Sequence, residues 1–164
     1  MTRRQHRRAQ LADRRQALKA AAFCLLAALA PATPARSEGP LVEVWKSPTC
    51  GCCKDWIAHL EANGFRTRTH DRGNTAKRAQ LGIDIRYGSC HTAFVDGYAI
   101  EGHVPAAHVR RLLKERPKAI GLAVPGMPIG SPGMDGPAYG GRHDPYDVLL
   151  LTRDGGTSIY QTHR

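Results

Sequence analysis

The sequence has no apolar run long enough to cross a bilayer. Its longest, Ala20–Ala30 (AAAFCLLAALA), falls far short of the roughly 20 residues a spanning helix needs, which excludes a multi-span membrane protein. Nor does it contain an internal repeat. A composition of 41% hydrophobic and 23% charged residues over 164 positions rules out collagen-like, coiled-coil and fully disordered chains. That length suits one domain of ordinary size, or a smaller one with an appendage. Acidic residues are scarce, 14 against 24 Lys plus Arg, for a net charge of +10. Methionine is scarcer still: beyond Met1 there are only Met127 and Met134.

A basic balance ordinarily raises nucleic acid or an anionic surface as a partner. Here the charge is concentrated at one end. Residues 1–37 hold eight basic side chains against one acid, Asp13, and account for +7; the remaining 127 residues carry only +3. Behind the arginines come the apolar run and a small-residue exit, PATPARS. This order is that of an export signal, with cleavage after Ala35 or Ser37. Asp13-Arg14-Arg15-Gln16-Ala17-Leu18-Lys19 resembles a twin-arginine signature, with the general secretory route as the alternative. An Arg arm that binds nucleic acid would need neither the apolar run nor the exit behind it. The expectation is a signal over 1–37, a domain over 38–164, a periplasmic location, no nucleic-acid partner and no stable membrane insertion.

The domain reads as a small α/β unit. Leu41–Trp45 alternates and is rich in β-branched residues, as a strand would be. Thr49 can cap a helix starting near Cys50, on which Trp56, Ile57 and Leu60 share a face and which Asn63-Gly64 ends. A strand over Phe65–His70 and a short helix over Thr75–Leu81 follow. Asp96-Gly97 then sits between the strand pair of a hairpin, and Pro105 opens a helix that Pro117 closes. Residues 125–146 are dense in Gly and Pro, a loop length that marks function or disorder. A closing hairpin spans Val148–Thr152 and Thr157–Gln161. The order β-α-β-α-β-β-α is that of a thioredoxin-like fold, a central mixed sheet with flanking helices and here a long Met-bearing loop.

The sulfur residues carry the chemistry. Cys50-Gly51-Cys52-Cys53 follows the first strand at the start of the first helix, where free N–H groups and the helix dipole favour thiolate. Cys50 and Cys53 form the C-x-x-C pair of a redox site. The inserted Cys52 adds a third soft ligand, enough for the loop to bridge more than one soft ion. Ser89–Gly97 resembles the thioredoxin segment that runs from a cis-proline into the third strand. By that likeness His91 takes the proline position and Cys90, just before it, faces the other thiols. His91 is then either a ligand or a hydrogen-bonding group that shapes the site. Met127 and Met134 lie in the Gly/Pro loop, where thioether sulfur would select Cu(I); the plainer alternative is gap-filling over a small core. His59, His70, His108, His143 and His163 read as surface residues, His143 in the Gly/Pro loop being the expected exception, and Trp45 and Trp56 as core.

CGCC after the first strand, SCHTA, GHVP (Gly102–Pro105) and PGMPIGSPGM resemble, in this order, the bacterial periplasmic family known as domain of unknown function 411, which includes CopG-type copper-resistance proteins. The likeness runs from about Leu41 to the end. It implies a thioredoxin-like fold and a cysteine-bridged cluster of several copper ions. It also implies a role in periplasmic copper handling, including Cu(I)/Cu(II) interconversion, with other periplasmic copper-resistance proteins as partners. Carried over by motif, Cys50, Cys52, Cys53 and Cys90 would be thiolate ligands, Met127 and Met134 would complete the shell, and His103 would support it. Two readings compete with copper binding. One is a thiol–disulfide oxidoreductase with Cys50 as nucleophile and Cys53 as resolving thiol. The other is a pair of structural disulfides, which an exported location permits.

Overall fold

The structure, a computed structural model, describes residues 39–164. The expected export signal over 1–37 lies outside the described residues.

Seven strands form one mixed sheet in the order β2-β1-β3-β4-β5-β6-β7. Strand β1 (Leu41–Lys46) pairs in parallel with β2 (Arg66–His70) and antiparallel with β3 (His91–Val95). Strand β4 (Tyr98–Glu101) closes a hairpin with β3 and runs parallel to β5 (Ala119–Ala123). Strands β6 (Tyr146–Thr152) and β7 (Thr157–His163) extend the sheet antiparallel. Helices α1 (Gly51–Ala62), α2 (Thr75–Gln80) and α3 (Ala106–Glu115) follow β1, β2 and β4.

The two-residue period of the strands divides the core. Val42 and Val44 of β1, Val95 of β3 and Ile100 of β4 join Trp56 and Leu60 of α1 and Val109 and Leu112 of α3, all buried. A smaller cluster gathers Ala99, Ala123, Leu151 and Ile83. Each large apolar side chain removed from water contributes about 1.5–3 kcal/mol, so the main cluster dominates stability. Trp56 also donates its indole N–H to the Val104 carbonyl (2.9 Å), which ties α1 to the segment after β4.

The elements agree with expectation except at four points. Strand β5 was unassigned: AIGLA is short and holds a glycine, and the sheet supplies what local propensity does not. The N-cap of α1 is Cys50, with no side-chain cap, while the Thr49 hydroxyl turns to Ser47 (3.1 Å). Of the five histidines read as surface groups, only His143, the expected exception, is exposed. His59 accepts the Ala106 N–H at 3.0 Å, His70 stacks on Trp45, and His108 and His163 meet through Nε2 atoms 2.9 Å apart. Finally, the Gly/Pro loop is ordered. Gly130 N–H bonds to the Met134 carbonyl (2.8 Å) and Asp144 N–H to that of Ile129 (2.8 Å).

That loop packs on the first turn of α1 through Gly133, whose φ is +84°. A Cβ there would lie 2.7 Å from both the Cys52 carbonyl oxygen and the Trp56 nitrogen. Gly133→Ala therefore combines a strained conformation with overpacking and should cost about 1–3 kcal/mol. The urea midpoint checks this; an unchanged midpoint would show that the loop does not press on the helix.

Candidate metal centre

Three segments converge at one end of the sheet. The turn after β1 begins at Ser47, whose carbonyl accepts the Cys50 N–H (3.1 Å). Cys50 caps α1, Cys52 and Cys53 occupy its first turn, and Cys53 is fully buried. From the sheet, Cys90 immediately precedes β3. Its sulfur lies 3.4 Å from that of Cys53 and 3.8 Å from that of Cys52, which is 3.6 Å from Cys50 Sγ. All four sulfurs lie within 4.8 Å of one another. The expected four-cysteine set is thus brought together. Cys50 and Cys53 are joined as a disulfide, and Cys52 and Cys90 are free thiols. The disulfide and a four-thiolate ligand set are alternative states of these cysteines: passing from the first to the second adds two electrons to Cys50–Cys53 and removes one proton each from Cys52 and Cys90.

Two buried imidazoles flank Cys90. His103 Nε2 is 3.1 Å from its sulfur and His91 Nδ1 is 3.4 Å away. The Pro132 carbonyl, 2.9 Å from His103 Nδ1, can only accept, so Nδ1 carries the proton and the Nε2 lone pair faces Cys90. Burial lowers the pKa of both rings, His91 well below the ordinary imidazole value with His103 contributing, so both are neutral donors. His91 Nε2 is buried without a hydrogen-bond partner. Sequence reasoning gave His103 a supporting role. The structure puts it nearer Cys90 than His91 is, because it follows β4 directly, and β4 is the hairpin partner of β3.

The two methionines differ. Met134 is buried, and the Tyr139 hydroxyl donates to its sulfur at 3.2 Å. Met127 is 52% exposed and lines, with Cys90, Ser89, Arg78 and Ile85, a groove of about 370 Å³. The Cys90 thiol is thus reachable beside an exposed thioether.

Four clustered sulfurs, with two neutral imidazoles grouped on Cys90, define the class: an α/β protein with a soft, sulfur-dominated donor set suited to a thiophilic metal. The profile of the family described as "Protein of unknown function, DUF411" matches residues 87–134, which span Cys90, both imidazoles and both methionines. A solved structure titled "Copper resistance protein copG- Form 2" is 47% identical, covers 77% of this chain and 100% of its own, and superposes with a TM-score of 0.72. A second, "Copper resistance protein copG- Form 1", is 47% identical over 77% of this chain and 98% of its own, with a TM-score of 0.71. No curated protein matches the chain. The chain belongs to the DUF411 family of CopG-type copper-resistance proteins.

Burial, then the neighbouring Cys52, pushes the Cys90 thiol from 9.0 up to about 12. Because the folded value is raised, protonated Cys90 contributes stability that is present below the free-thiol value and lost as pH rises through the folded one. Its alkylation by iodoacetamide, followed by peptide mass mapping of metal-free protein, should accelerate about tenfold per pH unit from pH 7 to 10. A plateau below pH 10 would contradict a raised pKa.

Proposed function

We propose that the protein binds Cu(I) in the periplasm as a multinuclear centre, serves copper handling and resistance, and can interconvert Cu(I) and Cu(II). The observation that carries this reading is the convergence of Cys50, Cys52, Cys53 and Cys90 within 4.8 Å, beside imidazoles held neutral by burial. Thiolates are soft donors that select Cu(I), and four on two segments are more than one ion needs. The first turn of α1 adds N–H dipoles that favour thiolate charge. The imidazoles suit Cu(II) as well as Cu(I), which supports a site able to hold both states. Metal binding here displaces the Cys90 proton, so loading releases protons and strengthens with pH.

Met127 and Met134 are proposed to complete the ligand shell, Met127 from the mouth of the Cys90 groove and Met134 from the buried side of the loop. The fold itself is proposed to be thioredoxin-like. Strands β2-β1-β3-β4, with β1 parallel to β2 and antiparallel to β3, support that reading, with Cys50–Cys53 at the helix start after β1 and Cys90 at the entry to β3. Residues 1–37 are proposed as the export signal that delivers the chain to the periplasm, where other copper-resistance proteins would be its partners.

One observation favours a second reading. The Cys50–Cys53 disulfide, with Cys53 buried and Cys50 partly exposed, is the oxidised state of a C-x-x-C oxidoreductase. Copper binding and free-thiol assays on one preparation separate the two. Reduced exported protein, titrated anaerobically with Cu(I), should bind more than one copper per chain. Cys52→Ser should lose most of it, and protein with the disulfide intact should bind markedly less. No bound copper, together with efficient reduction of a disulfide substrate, would decide for the oxidoreductase.

The paired variant Met127→Leu/Met134→Leu should release Cu(I) to a chelator several-fold faster without a change in thermal midpoint. Unchanged retention would assign both methionines to packing.

A further inference from the structure

The segment Gly88-Ser89-Cys90 belongs to no helix or strand, yet it places the Cys90 thiol 3.4 Å from Cys53 Sγ and 3.8 Å from Cys52 Sγ. Its backbone is gripped from below. Glu101, at the end of β4, is fully buried, and its Oε1 accepts the Ser89 N–H (2.7 Å) and Arg78 Nε (2.8 Å). Its Oε2 accepts the Thr92 hydroxyl (2.5 Å). Arg78 Nη2, also 2.8 Å from Oε1, donates to the Ser89 carbonyl, which Asn74 Nδ2 also reaches at 3.2 Å. Both backbone polar groups of the residue before Cys90 are therefore held by one buried ion pair and its partners. Gly102 lets the strand end approach this closely: at φ +70°, a Cβ there would lie 2.6 Å from Ser89 Cβ. His103, one residue further on, touches the Cys90 sulfur itself.

Burying an ion pair seldom adds stability over an apolar pair of the same volume, because desolvating both charges offsets their attraction. What such a pair supplies is direction, since its donors and acceptors are satisfied in one arrangement only. We propose that Glu101, acting with Arg78, is the positioning residue that holds the Cys90 thiol in the metal centre. The proposal rests on the copper-binding reading for its purpose, but its geometry concerns the thiol alone. With the pair intact, Ser89 cannot shift and Cys90 stays against Cys52, Cys53 and His103. Without it, the Ser89 N–H loses its acceptor, and the segment keeps only single bonds: Asn74 Nδ2 on the Ser89 carbonyl (3.2 Å), the Ser89 hydroxyl on the Gly126 carbonyl, Gly126 N–H on the Gly88 carbonyl (3.1 Å) and Gly88 N–H on the Ile85 carbonyl (2.9 Å).

The test uses the full exported protein, the isosteric Glu101→Gln and the apolar pair Arg78→Met/Glu101→Leu. The apolar pair removes the buried charges and so keeps the domain folded should the single variant fail. Two readouts are taken on folded material. The first is the rate at which N-ethylmaleimide modifies Cys90 in the disulfide form, mapped by peptide mass. The second is Cu(I) retention by the reduced form against bathocuproine disulfonate. Modification should be at least fivefold faster and Cu(I) retention at least tenfold weaker in the apolar pair, although its thermal midpoint stays within a few degrees of the parent. Parental rates of Cys90 modification in a folded variant would overturn the proposal, and so would parental copper retention. If the parent binds no Cu(I), the copper reading fails, and the modification rate alone decides the positioning role.

Discussion

The contact between the first turn of α1 and the entry to β3 is the one on which the rest of the centre depends. Cys53 and Cys90 are 37 residues apart, and their sulfurs meet at 3.4 Å only because β1 and β3 are sheet neighbours with Lys46 opposite His91. That register places the end of β1 beside the start of β3. Whatever leaves β1, here the Cys50 turn and α1, then faces whatever enters β3. A shift of one residue would turn Cys90 to the opposite face of the sheet, since side chains alternate along a strand. Burial of Trp56 and Leu60 against Val42, Val44 and Ile100 sets the height of α1 over the sheet and with it the height of three cysteines.

Around this contact the protein buries groups that water would normally solvate. His91, His103, Thr92, Glu101 and Ser131 are all buried, and each except His91 has its polar side-chain atoms partnered. His103 is fixed by the Pro132 carbonyl, and Pro132 is placed by a loop whose next residue, Gly133, presses on Cys52. The Gly/Pro loop is thus a structural wall of the site, and it orients an imidazole through its backbone. The partial burial of Cys90 raises the cost of removing its proton, and the buried imidazoles beside it are kept neutral.

Much of this was legible before any coordinates. The periods of β1, α1 and α3 survive almost unchanged because their apolar positions match their secondary structure. Asp96-Gly97 marked the β3–β4 hairpin correctly through its turn chemistry. The misses share a cause. Strand β5, with Gly121 in its middle, is held by β4 and β6 on either side; Cys50 caps α1 because the turn from Ser47 delivers it there. His70 lies between Thr69 and Asp71, and His59 and His108 each have apolar neighbours on both sides, yet all three are half-buried against elements far along the chain.

The sequence by itself determined the donor types, the order of the elements and the place of each cysteine relative to a strand or helix end, because these follow from local periodicity and turn residues. It marked Cys50, Cys52, Cys53 and Cys90 as a set. Tertiary structure alone decided that His103 faces Cys90 as closely as any sulfur, that Met127 is exposed while Met134 is buried, and that Arg78 and Glu101 grip Ser89. Side chains from α2, β4 and the loop after β5 converge there. Such convergence depends on sheet register and helix packing, which act between residues that no local pattern connects.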